Sequence, residues 1–388
     1  MIVPESGPVL AQPAGGEGSS VDAAPDEFDI VATYHRLLAE DADLTRPIAA
    51  IEALIEVLRH TPSSTAMETY EISETQVLRL HAAVPNSLPI EAGTRMFTGF
   101  LSMSMRQPSA APINMTASTT SSIGGLDSFD KIRQHLLDNS QLFVQRAKEA
   151  RHRIADRGCR LVESGHVVLT AGGSRAVQAL LLKAAERLTA RQSGLPAASP
   201  DEWPFPTAPE PTSAPFTVLY VVDERSRQES ERHMTVLRSH HIPVIEIDPS
   251  AVAYALEAYA VRSVFVGAEA VTHDGKVVSR IGTFQLAVLA DAAKPKRNFF
   301  VLVETHKFVR KLLLNNRDLS RINVQQAFFA PDGSSPRPVP ARVASQPPAK
   351  PLLPFCSQVD VTPPTLVTNF ITENGIIQPS GSYRIVAY

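Results

Sequence analysis

The chain contains few cysteines, no long apolar run and almost no net charge, and each of these shortages excludes a class of protein. Two cysteines in 388 residues cannot form a disulfide framework, which favours a reducing compartment. No apolar run approaches the roughly 18 residues of a membrane-spanning helix. Because 37 Lys and Arg balance 40 Asp and Glu to a net charge of −3, we expect neither direct nucleic-acid binding nor a membrane anchor. Residues 1–20 lack a basic targeting segment, so we expect a cytoplasmic (cytosolic) protein.

Proline, in contrast, is abundant, and its distribution indicates which parts of the chain are not folded. Of 31 prolines, 19 fall in three stretches, residues 1–25, 190–215 and 331–354. Proline at this density interrupts helices and strand ladders, so we predict a disordered tail over 1–27 and surface insertions over 190–215 and 331–354. Residues 107–128 are rich in Ser, Thr and Gly and are predicted to form a flexible loop.

Between residues 28 and 163 the spacing of apolar residues is helical. The clearest stripe, at steps of three and four residues behind the N-cap candidate Thr45, consists of Ile48, Ile51, Ile55 and Leu58. Further stripes predict helices over 76–83 and 93–105 and a long helix from Phe129 to Ile154. No catalytic spacing occurs in this part of the chain. We therefore predict an all-helical N-terminal domain over 28–163.

Residues 164–388 show a different pattern, in which short apolar runs alternate with helical segments. The predicted strands cover 167–170, 217–222, 243–247, 263–266 and 299–303. Continuous runs of β-branched and aromatic residues, separated by helices, are typical of a parallel sheet that is buried on both faces. The fold class is therefore predicted to be α/β, with the helical domain followed by a Rossmann-like, doubly wound parallel sheet domain.

Such sheets bind ligands beyond the carboxyl ends of their strands, and the first turn is the best candidate for an anion site. Gly172 and Gly173 let a ligand approach the backbone, while Ser174 and Arg175 add donors at the start of a helix. The alternative is a tight strand-to-helix turn without a ligand. The turn is neither a P-loop nor a dinucleotide-binding fingerprint, so we expect no NAD cofactor.

Two carboxylates at predicted strand ends have two possible roles. Glu224 and Glu269 could face each other and perform acid/base chemistry. Alternatively, they could cap neighbouring helices or pair with Arg175 and Arg280, and this structural interpretation is the one we favour. The adjacent pair His240-His241 has no third ligand nearby, so we expect no metal site.

Several segments of the second half resemble one protein family. Residues 266–271 (Val-Gly-Ala-Glu-Ala-Val) are followed by Asp274-Gly275 and by 280–287 (Arg-Ile-Gly-Thr-Phe-Gln-Leu-Ala). The same resemblance extends to 303–310, 361–366, 375–380 and Leu169-Thr170 with Ser174-Arg175. These motifs are similar to those of the regulatory subunits of translation initiation factor 2B, with 303–310 close to the alpha type, and of the related ribose bisphosphate and methylthioribose phosphate isomerases.

The resemblance implies a non-catalytic regulatory role in translation initiation. In this family a homodimer joins two copies of a complex with beta, gamma, delta and epsilon subunits, which exchanges guanine nucleotides on initiation factor 2. The regulatory subunits help to sense the phosphorylated alpha subunit of that factor. These proteins are the partners we expect, with no cofactor beyond a sugar phosphate or nucleotide ligand.

The sequence departs from the isomerases at two positions that matter for catalysis. The resemblance places a cysteine after the first strand and an aspartate after Gly267-Ala268, whereas this chain has Ala171-Gly172 and Glu269. Losing the thiol removes a proton-transfer partner, so we expect no enzyme activity, with a sugar phosphate isomerase as the alternative. The expected ligand-binding residues are Arg46, Thr170, Gly172, Gly173, Ser174, Arg175, Glu224, Glu269, Arg280 and Lys307.

Overall fold

The computed structural model describes residues 28–41, 44–84, 86–106, 145, 149–193, 216–222, 227–322, 324, 327–328, 337–338 and 359–382. The predicted tail and the predicted loop over 107–128 lie outside these residues, as does most of the predicted long helix. Of the two predicted insertions, only 190–193 and Arg337–Pro338 are described. Residues 190–193 form the end of the helix Arg175–Ser193, so regular structure extends into the start of the first predicted insertion.

The N-terminal part is helical, as predicted. Its helices are α1 (Ile30–Glu40), α2 (Arg46–His60), α3 (Ala66–Ala83), α4 (Leu88–Arg106) and α5 (149–158). Helix α2 lies at the centre, and its predicted apolar stripe is buried against α1, α3 and α4. Helix α3 begins ten residues before the predicted start, because Thr65 caps its polar first turn by accepting a 3.1 Å hydrogen bond from the Glu68 amide.

The second part contains the predicted doubly wound sheet. In chain order its strands are β1 (Val167–Ala171), β2 (Thr217–Val221), β3 (Val244–Ile247), β4 (Ser263–Gly267), β7 (Asn298–Leu302), β12 (Asn369–Thr372) and β13 (Gly375–Ile377). The spatial order is β13-β12-β7-β4-β1-β2-β3, and every pair is parallel except β12 with β13. The last two strands were not predicted from the sequence.

Helices cover both faces of this sheet. Helices α6 (Arg175–Ser193) and α7 (Arg227–Ser239) pack on one face, whereas α8 (Val252–Ala258) and α9 (Thr283–Ala292) pack on the other. Successive residues of β1 point into the two cores, with Val168 in one and Leu169 in the other. This arrangement confirms the predicted α/β fold class.

A smaller sheet that was not predicted connects the two parts. It comprises β11 (Val359–Thr362), β6 (Val277–Arg280), β5 (Ala270–Thr272) and β8 (Phe308–Val309), in that spatial order. Leu88 and Ala92 of α4 share a buried cluster with this sheet, so the helical domain is docked against the strand ends.

Two remaining features complete the described fold. A two-residue ladder joins β9 (Ala327–Phe328) to β10 (Arg337–Pro338). Within the described part of the chain, none of the helices combines the length and apolar character needed to cross a bilayer.

Candidate anion-binding site

A cleft of about 490 Å³ opens where the carboxyl ends of β1 and β4 meet the start of α2. Its cationic lining residues are Arg46, Arg151, Arg175, Arg232, Arg280 and Lys307. Its carboxylates are Glu229, Glu269 and Glu304. Six cations against three carboxylates leave an excess of positive charge inside a concave surface, which favours an anionic ligand.

The turn between β1 and α6 forms one wall of the cleft. Gly172 and Gly173 have φ angles of +76° and +63°, a left-handed conformation that residues with a Cβ rarely adopt. The Gly173 amide donates a 3.1 Å hydrogen bond to the Tyr220 hydroxyl, and burial raises the pKa of Tyr220 to about 12. Tyr220 is therefore a neutral phenol at pH 7, and its hydroxyl group holds the turn in place. Ser174 and Arg175, which follow the turn at the start of α6, also line the cleft.

The helical domain contributes the opposite wall. Arg46 Nη1 lies 3.4 Å from Glu269 Oε2, and the Asn86 amide donates a 2.7 Å hydrogen bond to the same oxygen. From the other side, Arg175 Nη1 donates a 3.1 Å hydrogen bond to the Leu44 carbonyl. The buried Thr45 hydroxyl, which also lines the cleft, makes no hydrogen bond with another described residue. These polar contacts join the N-terminal helices to the strand ends at the cleft.

A buried ion pair forms the floor. Lys307 Nζ lies 2.7 Å from Glu304 Oε2 and donates a 3.1 Å hydrogen bond to the Ala268 carbonyl. Burial is the largest single influence on Glu304 and opposes its ionisation, but the positive charges of Lys307 and His306, together with hydrogen bonding, outweigh it and hold the pKa of that carboxyl at about 2. Burial lowers the pKa of the adjacent His306 to about 4, so its imidazole is neutral at pH 7.

One face of α7 supplies residues that the sequence analysis missed. Glu229, Arg232, His233 and Val236 line the cleft at spacings of three and four residues, which place them on one side of the helix. Burial lowers the pKa of His233. The signal in the sequence was this polar stripe beside the buried Met234, but the stripe alone does not reveal which way it faces.

The structure brings together most of the predicted ligand-binding residues. The cleft is lined by Arg46, Gly172, Gly173, Ser174, Arg175, Glu269, Arg280 and Lys307. Thr170 is instead buried within β1 and does not line the cleft, and Glu224 lies outside the described residues. Arg280 pairs with Glu229, Arg175 donates a hydrogen bond to the Leu44 carbonyl, and Glu269 faces Arg46. The structural interpretation of Glu224 stays a prediction, because Glu224 lies outside the described residues.

The chemistry that this arrangement supports is anion binding. Ala171 occupies the end of β1, and no cysteine lines the cleft within the described residues. In that part of the chain no cluster of three or more His, Cys, Asp or Glu residues is arranged to hold a metal ion. The cleft therefore offers cations, amide groups and hydroxyls, which bind phosphate groups well.

N-terminal helices packed on the strand ends of a doubly wound sheet, with a cationic cleft between them, define an α/β protein of the Rossmann-like class. The sequence profile of the Initiation factor 2 subunit family matches residues 39–379, and the chain belongs to this family. The family resemblance seen in the sequence is thereby confirmed.

Relatives of two kinds occur among the similar sequences. The chain is 24% identical to translation initiation factor eIF2B subunit alpha of Dictyostelium discoideum over 361 residues, covering 91% of this chain and 94% of the relative. It is 27% identical to a ribose 1,5-bisphosphate isomerase of Archaeoglobus fulgidus, covering 67% of this chain and 69% of the relative.

Solved structures with the same fold come from both eukaryotes and archaea. The crystal structure of eIF2B beta from Chaetomium thermophilum is similar with a TM-score of 0.63 at 16% identity, covering 93% of this chain and 92% of that one. A translation initiation factor eIF-2B from Pyrococcus horikoshii gives a TM-score of 0.57 at 18% identity, covering 90% and 97% of the two chains.

Proposed function

We propose that this chain is a non-catalytic, alpha-type regulatory subunit of the translation initiation factor 2B complex. The observation that carries the proposal is the similarity to an eIF2B alpha subunit over nearly the whole of both chains. In this role a homodimer joins two exchange complexes with beta, gamma, delta and epsilon subunits in the cytoplasm. It also helps the complex to respond to the phosphorylated alpha subunit of initiation factor 2.

The cleft favours this role over that of an isomerase. Ala171 and Gly172 stand where the isomerases are expected to carry a cysteine, so the proton-transfer thiol is absent. Glu269 accepts a hydrogen bond from Asn86 at 2.7 Å and faces Arg46 at 3.4 Å, and these contacts link the N-terminal helices to the strand ends. A carboxylate used in this way acts as a structural tie rather than as a proton shuttle.

Assembly with partner subunits tests the regulatory role. The full chain is co-expressed with the beta and delta subunits of its own organism, and the mass of the purified particle is measured by native mass spectrometry. We expect a particle that contains two copies of this chain together with beta and delta subunits. A homodimer that never joins them would overturn the proposal.

A turnover assay addresses the second candidate, because a ribose 1,5-bisphosphate isomerase is among the similar sequences. The purified chain is incubated with ribose 1,5-bisphosphate and, separately, with methylthioribose 1-phosphate, and product is followed by NMR. We expect no more product than in a control reaction that contains buffer without the protein. Sustained product formation would show that the chain is an isomerase.

We further propose that the cleft binds a sugar phosphate or a nucleotide and that this ligand stabilises the folded chain. The cationic excess of the lining and the glycine turn at the start of α6 support this proposal. A ligand that binds only the folded state raises the melting temperature, and the increase grows with the logarithm of the ligand concentration once that concentration exceeds Kd. Arg175, on the first turn of α6, is the residue that we expect to contact a phosphate group.

Thermal shift measurements test ligand binding. Ribose 5-phosphate should raise the melting temperature, whereas ribose should not, and Arg175→Ala should abolish most of the shift. Arg36→Ala is the matched control, because Arg36 pairs with Glu40 and Glu56 on the exposed surface of α1 and α2. Because Arg175 also holds the Leu44 carbonyl, only the ligand-induced shift is compared and not the starting melting temperature. Equal shifts in wild type and Arg175→Ala would overturn the proposed contact.

A further inference from the structure

An ion pair lies directly over the glycine turn of the cleft. Arg280 and Glu229 meet in a two-pronged contact, with Nη1–Oε2 at 2.6 Å and Nη2–Oε1 at 2.7 Å. A Cβ atom built on Gly173 would lie 3.1 Å from Glu229 Cγ and Oε1, and one built on Gly172 would lie 3.5 Å from Arg280 Cδ. The carboxylate of Glu229 therefore occupies space next to the turn that would receive an anion.

A guanidinium group engaged in this way cannot offer the same two N–H groups to a ligand. Planar pairing of arginine with carboxylate and with phosphate uses the same fork of donors. Both side chains are partly buried, at 25% and 33% exposure, so their interaction is less screened than that of a surface pair. An anion that binds to this same pair of N–H groups must therefore displace the Glu229 carboxylate.

We infer that Glu229 is an internal competitor for the ligand anion and sets the specificity of the cleft. This inference rests on the proposed binding of a sugar phosphate or nucleotide. When the cleft is empty, Glu229 holds Arg280 in place over the glycine turn. A dianionic phosphate ester displaces it, whereas a monoanionic carboxylate, which only matches the charge of Glu229, does not.

The position of Glu229 on α7 keeps the free-energy cost of this displacement small. Glu229 lies in the first turn of the helix, where the helix dipole stabilises a negative charge even when the carboxylate has left Arg280. Arg232, three residues further on and also lining the cleft, is within reach as a second partner for the carboxylate. Release therefore needs a change of side-chain rotamer and no movement of the backbone.

Isothermal titration calorimetry on the full chain tests the inference. Ribose 5-phosphate, inorganic phosphate and acetate are titrated into wild type, Glu229→Gln and Glu231→Gln. Removing the competing charge while keeping the side-chain volume should tighten phosphate binding by about tenfold, the ratio expected when a charged partner becomes neutral. It should also permit measurable acetate binding. Glu231→Gln, whose partner Arg227 lies on the same helix outside the cleft lining, should behave as wild type.

The outcomes separate this inference from the function on which it rests. Equal phosphate affinity in wild type and Glu229→Gln would overturn the inference and leave the phosphate site standing. Weaker binding by Glu229→Gln would also overturn the inference, because the carboxylate would then favour binding rather than oppose it. Absence of binding by all three proteins would overturn the anion site, without affecting assembly with partner subunits. Glu229→Asp, which is one methylene shorter, should tighten binding in the same direction and serves if Glu229→Gln does not fold.

Discussion

Gly93 of α4 lies against the backbone of Pro47 in α2, so closely that a Cβ atom on Gly93 would be 2.3 Å from the Pro47 carbonyl oxygen. Pro47 follows Arg46, whose guanidinium lines the cleft and faces Glu269. The close approach of these two helices therefore sets the position of one cationic wall.

Replacing Gly93 by alanine should force α2 and α4 apart. We expect Gly93→Ala to reduce the free energy of unfolding by about 1–3 kcal/mol, because the obstacle is backbone and cannot rotate away. Gly99→Ala on the same helix is the matched control, since a Cβ there meets nothing within 4 Å. It should stabilise the protein by roughly 0.5–1 kcal/mol through helix propensity. Urea denaturation followed by circular dichroism measures both, and equal effects of the two variants would contradict the prediction.

A second close contact ties β4 to the glycine turn. A Cβ atom on Gly267 would lie 2.3 Å from Ser174 Oγ and 2.6 Å from Ser174 Cβ. We expect Gly267→Ala to destabilise the protein by about 1–3 kcal/mol and to weaken phosphate binding. The double variant Gly267→Ala with Ser174→Gly should recover most of the lost stability, because it removes the clashing side chain. The melting temperatures of Gly267→Ala and of the double variant are measured, with Ser174→Gly alone as the reference. A double variant that is no more stable than Gly267→Ala would refute the prediction.

Removal of Lys307 should leave a charge buried without its partner. Glu304 is 3% exposed, and the neighbouring Lys307 ammonium helps to keep the Glu304 carboxyl ionised. We expect Lys307→Met to cost about 3–5 kcal/mol of stability at pH 7, whereas adding Glu304→Gln should restore part of it. Lys183→Met is the matched control, because it breaks an exposed, solvent-screened pair with Glu186 and should leave stability unchanged within error. Unfolding free energies are measured in urea, and a neutral Lys307→Met would argue against the ion pair.

Asp360 should make stability depend on pH in the opposite direction from an ordinary carboxylate. Its Oδ2 accepts hydrogen bonds from the Gly282 and Phe284 amides at the start of α9, at 2.7 and 3.1 Å, yet burial raises the pKa of Asp360 from 3.8 to about 7. The folded protein therefore holds a proton that the unfolded chain releases above pH 3.8. The contribution of this group to stability is present below about pH 4 and is lost as the pH rises to about 7.

Asp360→Asn isolates this effect because an amide does not titrate. The unfolding free energy of the variant minus that of wild type should increase between pH 5 and pH 8, by on the order of 2 kcal/mol. Taking the difference cancels the other titrating groups that the two proteins share. Urea denaturation at the two pH values provides the measurement, and a difference that is constant or falls with pH would contradict the raised pKa.

Local signals predicted much of the fold and failed at identifiable places. The apolar stripe of α2 and the buried runs of β1 and β4 were predictable because backbone geometry imposes their periods. The hairpin of β5 and β6 was missed because each strand is only three or four residues long, and the sequence showed little beyond the turn at Asp274-Gly275. Such short strands form through pairing with distant β8 and β11.

The residues of the candidate site likewise include some that the sequence predicted and some that it did not. Gly172, Gly173, Ser174 and Arg175 were predictable from the sequence because a strand, a glycine turn and a helix start follow one another. Glu229 could not be predicted from the sequence. The packing of Met234 and Leu237 against the sheet determines which side of α7 faces the cleft, and this packing is a tertiary contact. Thr170 was expected at the cleft but lies within the strand, where its neighbours bury it.

The sequence alone determined the alternation of the first five strands of the large sheet with helices, and it determined the place of the glycine turn. Both follow from local periodicity and from the conformations that each residue type permits. The partners of the charged residues were decided only by the tertiary structure. Arg280 meets Glu229 across 51 positions, and Glu269 meets Asn86 across 183. The first contact forms between β6 and α7 within the second part of the chain, and the second forms where the N-terminal helices dock on the strand ends. No local pattern encodes which polar group will face which.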